Sequence, residues 1–354
     1  MSDNTTKLAR NMTICNHTSW LTLHRGEPIL FRYTSTLSDI VASLDAPAQK
    51  WPSLVVLIDN AKSGTLIDYV LPSFRKRTEL QEEEGVTLHL DSDTVFSDRP
   101  VLIARSNLSV GVVLTLEPDS HLCHRDTVRE LQWAASESGH PADALHGGLL
   151  FPFANVVCFF ASEHDGLEVI VHHLEAWCEW ALNQSCRIVS LPRLLIIAAP
   201  GERRSPTAVY KDLLMLLENR SVKPCAEMLS CITIFVERFS RQTLKDRIRQ
   251  ETDISRNLRA DNHTLLNALH LDYYFRHACD DFVVARKRPF NIIAAARLHR
   301  PVSISLTAHM SDFFAHVNSY EEMTEVAIPY LAECLVKDNY TADVHSTYAS
   351  STRD

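Results

Sequence analysis

The chain has 354 residues, enough for two domains or for one large α/β domain with an appendage. Its residues are 45% hydrophobic and 22% charged, which excludes a disordered protein. The 35 Lys and Arg against 44 Asp and Glu give a net charge of −9, and this excludes the basic footprint of a dedicated nucleic-acid binder. Nine glycines occur where about 25 would be usual. Phosphate loops and nucleophile elbows need residues without a Cβ, so most glycine-dependent enzyme classes are disfavoured.

From Met1 to Trp20 the chain is polar and lacks the apolar stretch of a secretory signal. Nine cysteines are dispersed with no CxxC pair, a pattern that fits reduced thiols. A cytoplasmic location is therefore expected, and the eight N-x-S/T sequons read as composition. No apolar run reaches 18 residues, so no membrane span is expected.

Residues 1–27 read as a flexible arm. A strand is predicted over 28–33, and Ser38 as the cap of a short helix through Leu44. The continuous apolar run 53–58 is a strand, and the polar turn 59–64 leads into a helix over 65–70. Residues 79–84 are a solvated acidic loop. Further strand-length apolar runs lie at 86–90, 100–104, 155–160, 193–198 and 231–236.

Strands apolar throughout, rather than alternating, belong in sheets covered on both faces. Leu167, Ile170, Val171, Leu174, Trp177, Cys178 and Ala181 have helical spacing, as do Val209, Leu213, Leu216 and Leu217. This alternation is the grammar of a doubly wound, mostly parallel sheet. After residue 240 the strand signal stops and amphipathic helices follow, with Pro289, Pro301 and Pro329 between or inside them. The expected organisation is an arm at 1–27, an α/β domain at 28–238, an all-α helical block at 239–340 and a frayed tail at 341–354.

Strand, turn and helix at 53–70 is the context of a P-loop, which needs G-x-x-x-x-G-K-S/T. Laid on this chain, the four positions fall on Asp59, Gly64, Thr65 and Leu66, so one required type survives. Lys62, Ser63, Gly64 and Thr65 are the candidate nucleotide-binding residues of a remodelled loop. In the D-x-x-G position stand Arg105 and Leu108, and in the base-reading position Ala199-Pro-Gly-Glu202. With no lysine for the phosphates and no carboxylate for magnesium, no GTP hydrolysis is expected.

The segments 51–58, 62–68, 96–103, 148–160 and 191–197 resemble the GTPase-like domain of large fungal multidomain proteins. In that family the domain precedes a patatin-like phospholipase or a similar effector, in an arrangement like that of innate immune receptors. The resemblance implies a P-loop-NTPase-like sheet and, in intact members, GTP binding through three elements from which this chain departs. It also implies docking to other domains. The patatin G-x-S-x-G is absent, so an effector of that type is not present here.

Other constellations are weaker. His124-Arg-Asp126 lacks the asparagine of a kinase loop, and Asp281-Phe-Val283 lacks the glycine of D-F-G. His121, Cys123, His124, His140 and His146 are metal-ligand types without the paired spacing of structural zinc. Of His172 and His173 on one helix, at most one can face the core.

The expectation is a non-catalytic regulatory or interaction module, with no cofactor and no metal. A nucleotide-binding protein or a hydrolase of another type are the alternatives. A protein partner or self-association is expected, with Tyr274 and Phe314 as candidate surface residues, because adjacent helical aromatics point about 100° apart.

Overall fold

The computed structural model describes residues 19–24, 27–58, 85–106, 126–134, 141–160, 166–182, 191–197, 205–220, 229–235, 241–262, 264–284, 290 and 305–339. Two compact units divide the chain, Met1–Phe290 and Asn291–Asp354.

The first unit is built on nine strands: β1 (Ser19–His24), β2 (Leu30–Thr34), β3 (Ser53–Ile58), β4 (Val86–Leu90), β5 (Val101–Ser106), β6 (Asp126–Glu130), β7 (Ala154–Phe160), β8 (Arg193–Ile197) and β9 (Ile232–Phe235). They form one sheet in the order β6-β2-β1-β4-β5-β3-β7-β8-β9. The apolar runs at 53–58, 100–104, 155–160, 193–198 and 231–236 do lie in one sheet. β5, β3, β7, β8 and β9 are joined by four parallel pairings, with Val55 opposite Ile103 and Val56 opposite Val157.

The other four pairings, β1 with β2, β1 with β4, β2 with β6 and β4 with β5, are antiparallel. This overturns the doubly wound, mostly parallel P-loop-NTPase-like sheet that the sequence suggested. The sheet is mixed, with an antiparallel half added beyond β5.

Two strands account for much of the difference. β1 falls in what read as a flexible arm, yet Trp20, Leu21, Thr22 and Leu23 are all buried. β6, Asp-Thr-Val-Arg-Glu, is polar and mostly exposed because it is an edge strand, where charge discourages pairing with foreign strands. The first helix also differs from expectation. α1 (Thr36–Ser43) begins after Ser35, and Ser38 lies inside it, donating its hydroxyl to Asp272 Oδ1 at 2.7 Å.

The expected separate helical block is overturned too, because its first two helices cover the sheet. α2 (Pro141–Ala144, continued by a π-helical turn over Leu145–Leu150), α3 (Gly166–Leu182) and α4 (Pro206–Asn219) precede them. α4 starts on a Ser205 cap whose Oγ accepts from Ala208 N at 3.2 Å, with Pro206 in the first turn.

α5 (Arg241–Asp261) lays Leu244 and the half-buried Ile248 on the face made by Val55, Leu57, Val156, Cys158, Leu195 and Ile197. The other face belongs to one continuous core shared by Leu54, Val56 and Phe159, the apolar stripes of α3 and α4, and α6 (Ala268–Val284). α6 joins the antiparallel strands to this core. Phe275 stacks on Trp20 at 4.4 Å, and Phe282 meets Phe31 at 5.2 Å and Trp133 at 5.5 Å.

Polar contacts fix the same helix. Trp133 Nε1 donates to Phe282 O at 2.6 Å, and Tyr33 OH donates to Asp280 Oδ1 at 2.8 Å. Burial and the neighbouring Asp280 push the Tyr33 phenol up to about 12.

The second unit contains α7 (Leu306–Ala315), a short helical turn at Tyr320–Glu322, a π-helical turn over Met323–Ala327, and α8 (Ile328–Asn339). Pro329 sits in the first turn of α8, directly after the wide π-helical turn. That is where a missing N–H does least damage to a helix.

Truncating Trp20 tests the added strand. Trp20→Ala should cost about 3–5 kcal/mol in urea unfolding, the usual cost of emptying a large aromatic site. A residue on a loose arm would give a change near zero.

Candidate functional site

Four segments bring together the densest group of chemistry-bearing side chains among the described residues. β5 ends in Ser106, α2 carries Asp143, the following π-helical turn carries His146, and the second turn of α3 carries His172 and His173. Ser106 Oγ and His146 Nε2 are 2.7 Å apart. Asp143 lies between the two histidines of α3. Its Oδ2 is 3.1 Å from His172 Nε2, and its Oδ1 is 3.1 Å from His173 Nδ1.

The rings of His146 and His173 meet edge to face at 5.6 Å, and Phe159 stacks against His173 at 5.9 Å. The local chain permits this closeness because Gly147 has no side chain. A Cβ there would stand 2.6 Å from the indole of Trp177.

Burial acts to raise the Asp143 carboxyl. The close approach of His173 at 3.1 Å and the fields of His173, His172 and His146 outweigh it, so the group is held below its ordinary value and remains a carboxylate.

The group contains the residue types of a Ser-His-acid relay, but not its connections. In such a relay the acid orients the imidazole that faces the serine. Here the two carboxylate oxygens go to His173 and His172, while the imidazole on Ser106 is His146. Access is missing as well: Ser106 is 0% and His146 1% exposed, and His172 alone reaches solvent, with 46% of its side chain accessible. A nucleophile must touch its substrate, so this arrangement ties the four segments together rather than attacking a carbonyl. Among the described residues no group of three or more His, Cys, Asp or Glu can hold a metal ion.

The residues singled out in the sequence are distributed differently. Lys62, Ser63, Gly64 and Thr65 lie outside the described residues, as do Leu108, His121, Cys123, His124, His140 and Glu202. Arg105 is in β5, opposite Leu57 of β3 and Thr87 of β4. Tyr274 is half-buried against the main core, edge to face with Tyr273 at 5.4 Å, and burial pushes its phenol up. Phe314 is half-buried beside Phe313 at 5.9 Å. Neither aromatic pair presents a fully exposed ring.

His173 is buried and His172 exposed, as two adjacent helical positions require. The bond from Ser106 to His146 spans 40 residues and belongs to no motif. The one sequence signal available was a serine closing an apolar strand.

No family model matches the chain, and no curated protein matches it. No described helix is long and apolar enough to cross a membrane.

The depressed Asp143 carboxyl sets a pH dependence. A carboxyl with a lowered folded pKa stabilises the fold above its ordinary value of 3.8, and this is lost as pH falls through the lower folded value. Asp143→Asn should therefore cost about 1–3 kcal/mol at pH 7. Urea titrations should show the gap from wild type narrowing as the pH drops below 3.8.

Proposed function

We propose that this chain is a non-catalytic interaction module that joins a second copy of itself through its C-terminal unit. One observation carries the reading. Across residues 305–334 Ala327 alone is buried, while Tyr320, Val326, Ile328 and Tyr330 are 82%, 61%, 48% and 56% exposed. Phe313 stacks on Tyr330 at 5.9 Å, so the two helices touch through aromatic rings, and across residues 305–334 they enclose a single alanine.

Helices that bury one alanine between them have too little apolar contact to hold a fixed geometry. A second hairpin laid against the first supplies the missing half of a four-helix arrangement, and a self-complementary face needs no other partner. The sealed Ser106 and the Asp143 carboxylate's contacts with His172 and His173 support the non-catalytic side of the reading.

Sedimentation velocity of the full chain tests it. The wild type should sediment as a dimer, and Tyr330→Glu and Phe314→Glu as monomers with unchanged circular dichroism. A wild type that stays monomeric at every concentration overturns the proposal, and so do charged variants that still dimerise.

A second reading, nucleotide binding at Lys62, Ser63, Gly64 and Thr65, is favoured by the topology around β3. The chain leaves β3 toward the β5 side and leaves β7 toward β8, so a topological switch point lies between the ends of β3 and β7. Ligands of open α/β sheets collect at such points. Magnesium with GTP or ATP should then raise the melting temperature, since any ligand of the native state does. Thr65→Ala should lessen the rise, and no shift with either nucleotide removes this reading.

A further inference from the structure

The apolar face of the second unit carries charge of one sign. From Val317 to Val336 the chain has four glutamates, Glu321, Glu322, Glu325 and Glu333, and no lysine, arginine or histidine. All four are exposed. Glu321 follows the exposed Tyr320, Glu325 precedes the exposed Val326, and Glu333 stands about one turn beyond the exposed Tyr330. Glu322 is fixed where its helix starts. Its carboxylate accepts from Asn318 N at 2.9 Å, and its own N–H donates to Ser319 Oγ at 3.0 Å.

Two such hairpins laid together bring glutamates toward glutamates, and chains of net charge −9 also repel at long range. Like charges across an interface oppose association unless the partner supplies counter-charge. The face itself defines that counter-charge. Tyrosine rings beside carboxylates suit arginine, whose guanidinium stacks on an aromatic face while its N–H groups meet the acid.

The chain contains a segment of this chemistry just ahead of the hairpin. Residues 286–300 hold Arg286, Lys287, Arg288, Arg297 and Arg300, no acidic residue, and the apolar Ile292, Ile293 and Leu298. In sequence it runs from around Phe290, which lies 5.4 Å from Phe153 in the first unit, toward α7 at Leu306.

We propose that the acidic apolar face of 317–336 takes the basic segment 286–300 of a second copy, each copy giving its segment to the other. This rests on the self-association reading and names the segment that makes it electrostatically favourable. Apolar side chains of the segment meet Val326 and Ile328, and its arginines meet the glutamates and tyrosines.

Sedimentation velocity of the full chain, with charge reversal on each side, tests the pairing. The wild-type dimer should weaken several-fold as sodium chloride rises from about 0.05 to about 0.5 M, because salt screens rim charges. The double variant Glu321→Lys with Glu325→Lys should be monomeric, and so should Arg297→Glu with Arg300→Glu, both with unchanged circular dichroism. An equimolar mixture of the two should form a dimer, since each reversed face then meets a segment of opposite charge. Recovery in the mixture also shows that both variants fold. A wild type that is monomeric at every concentration removes the self-association reading and this pairing with it. A wild-type dimer that tightens with salt, or that persists in Arg297→Glu with Arg300→Glu, overturns this pairing alone. So does a mixture of folded variants that stays monomeric.

Discussion

The structure depends on a strand with no exposed face. All six residues of β3 are buried, and neighbours hydrogen-bond to it on both sides. Leu54, Val56 and Ile58 need one apolar cover, and Val55 and Leu57 need another. Helices must therefore lie both above and below the sheet, and this is why α5 cannot belong to a separate helical block. At about 25 cal/mol per Å² of apolar surface removed from water, neither face of such a strand could be left open without a large loss. The antiparallel half is under a looser constraint. It needs one firm cover, which α6 gives through Phe275 and Phe282.

This difference explains what could be read in the sequence. A strand covered on both sides has to be apolar along its middle, so the stretches 54–58, 101–104, 156–160 and 194–197 of β3, β5, β7 and β8 stand out as unbroken runs. β6 carries the opposite signal. Exposed on its outer edge, it is selected for charge, and Asp126, Arg129 and Glu130 look like loop residues until the pairing with β2 is seen. β1 is concealed by its serine, threonine and histidine. Two of its polar neighbours are explained by tertiary contacts: the hydroxyls of Thr34 and Thr36 both donate to Ser19 O, at 2.8 and 2.9 Å. Parallel against antiparallel was the part that composition could not reveal, because strand direction is a property of the connections.

The Ser106 group was legible only in fragments. The pairing of one inward and one outward histidine follows from helical geometry, and His172 and His173 obey it. That Asp143 sits between them, and that His146 turns to Ser106, depends on how α2, α3 and β5 meet. No spacing along the chain encodes that meeting. Residue types alone would have suggested a hydrolytic triad, but the carboxylate's choice of imidazole removes the relay. What remains is a polar clasp inside an apolar core, with every gain in fixed geometry set against the cost of burying polar groups.

The π-helical turn before Pro329 has a consequence for the long axis of the second unit. Each wide turn admits one extra residue, so the side chains after it are rotated by about 100° relative to those before it, the angle of one helical residue. Counted through the extra residue, Glu322 falls near the phase of Tyr330 and Cys334, positions that a seven-residue ruler laid along the sequence would not align with it. A heptad seam cannot run through such a discontinuity without a stutter. Whatever contact α8 makes is confined to the turns on one side of the bulge, a short patch in place of an extended zipper.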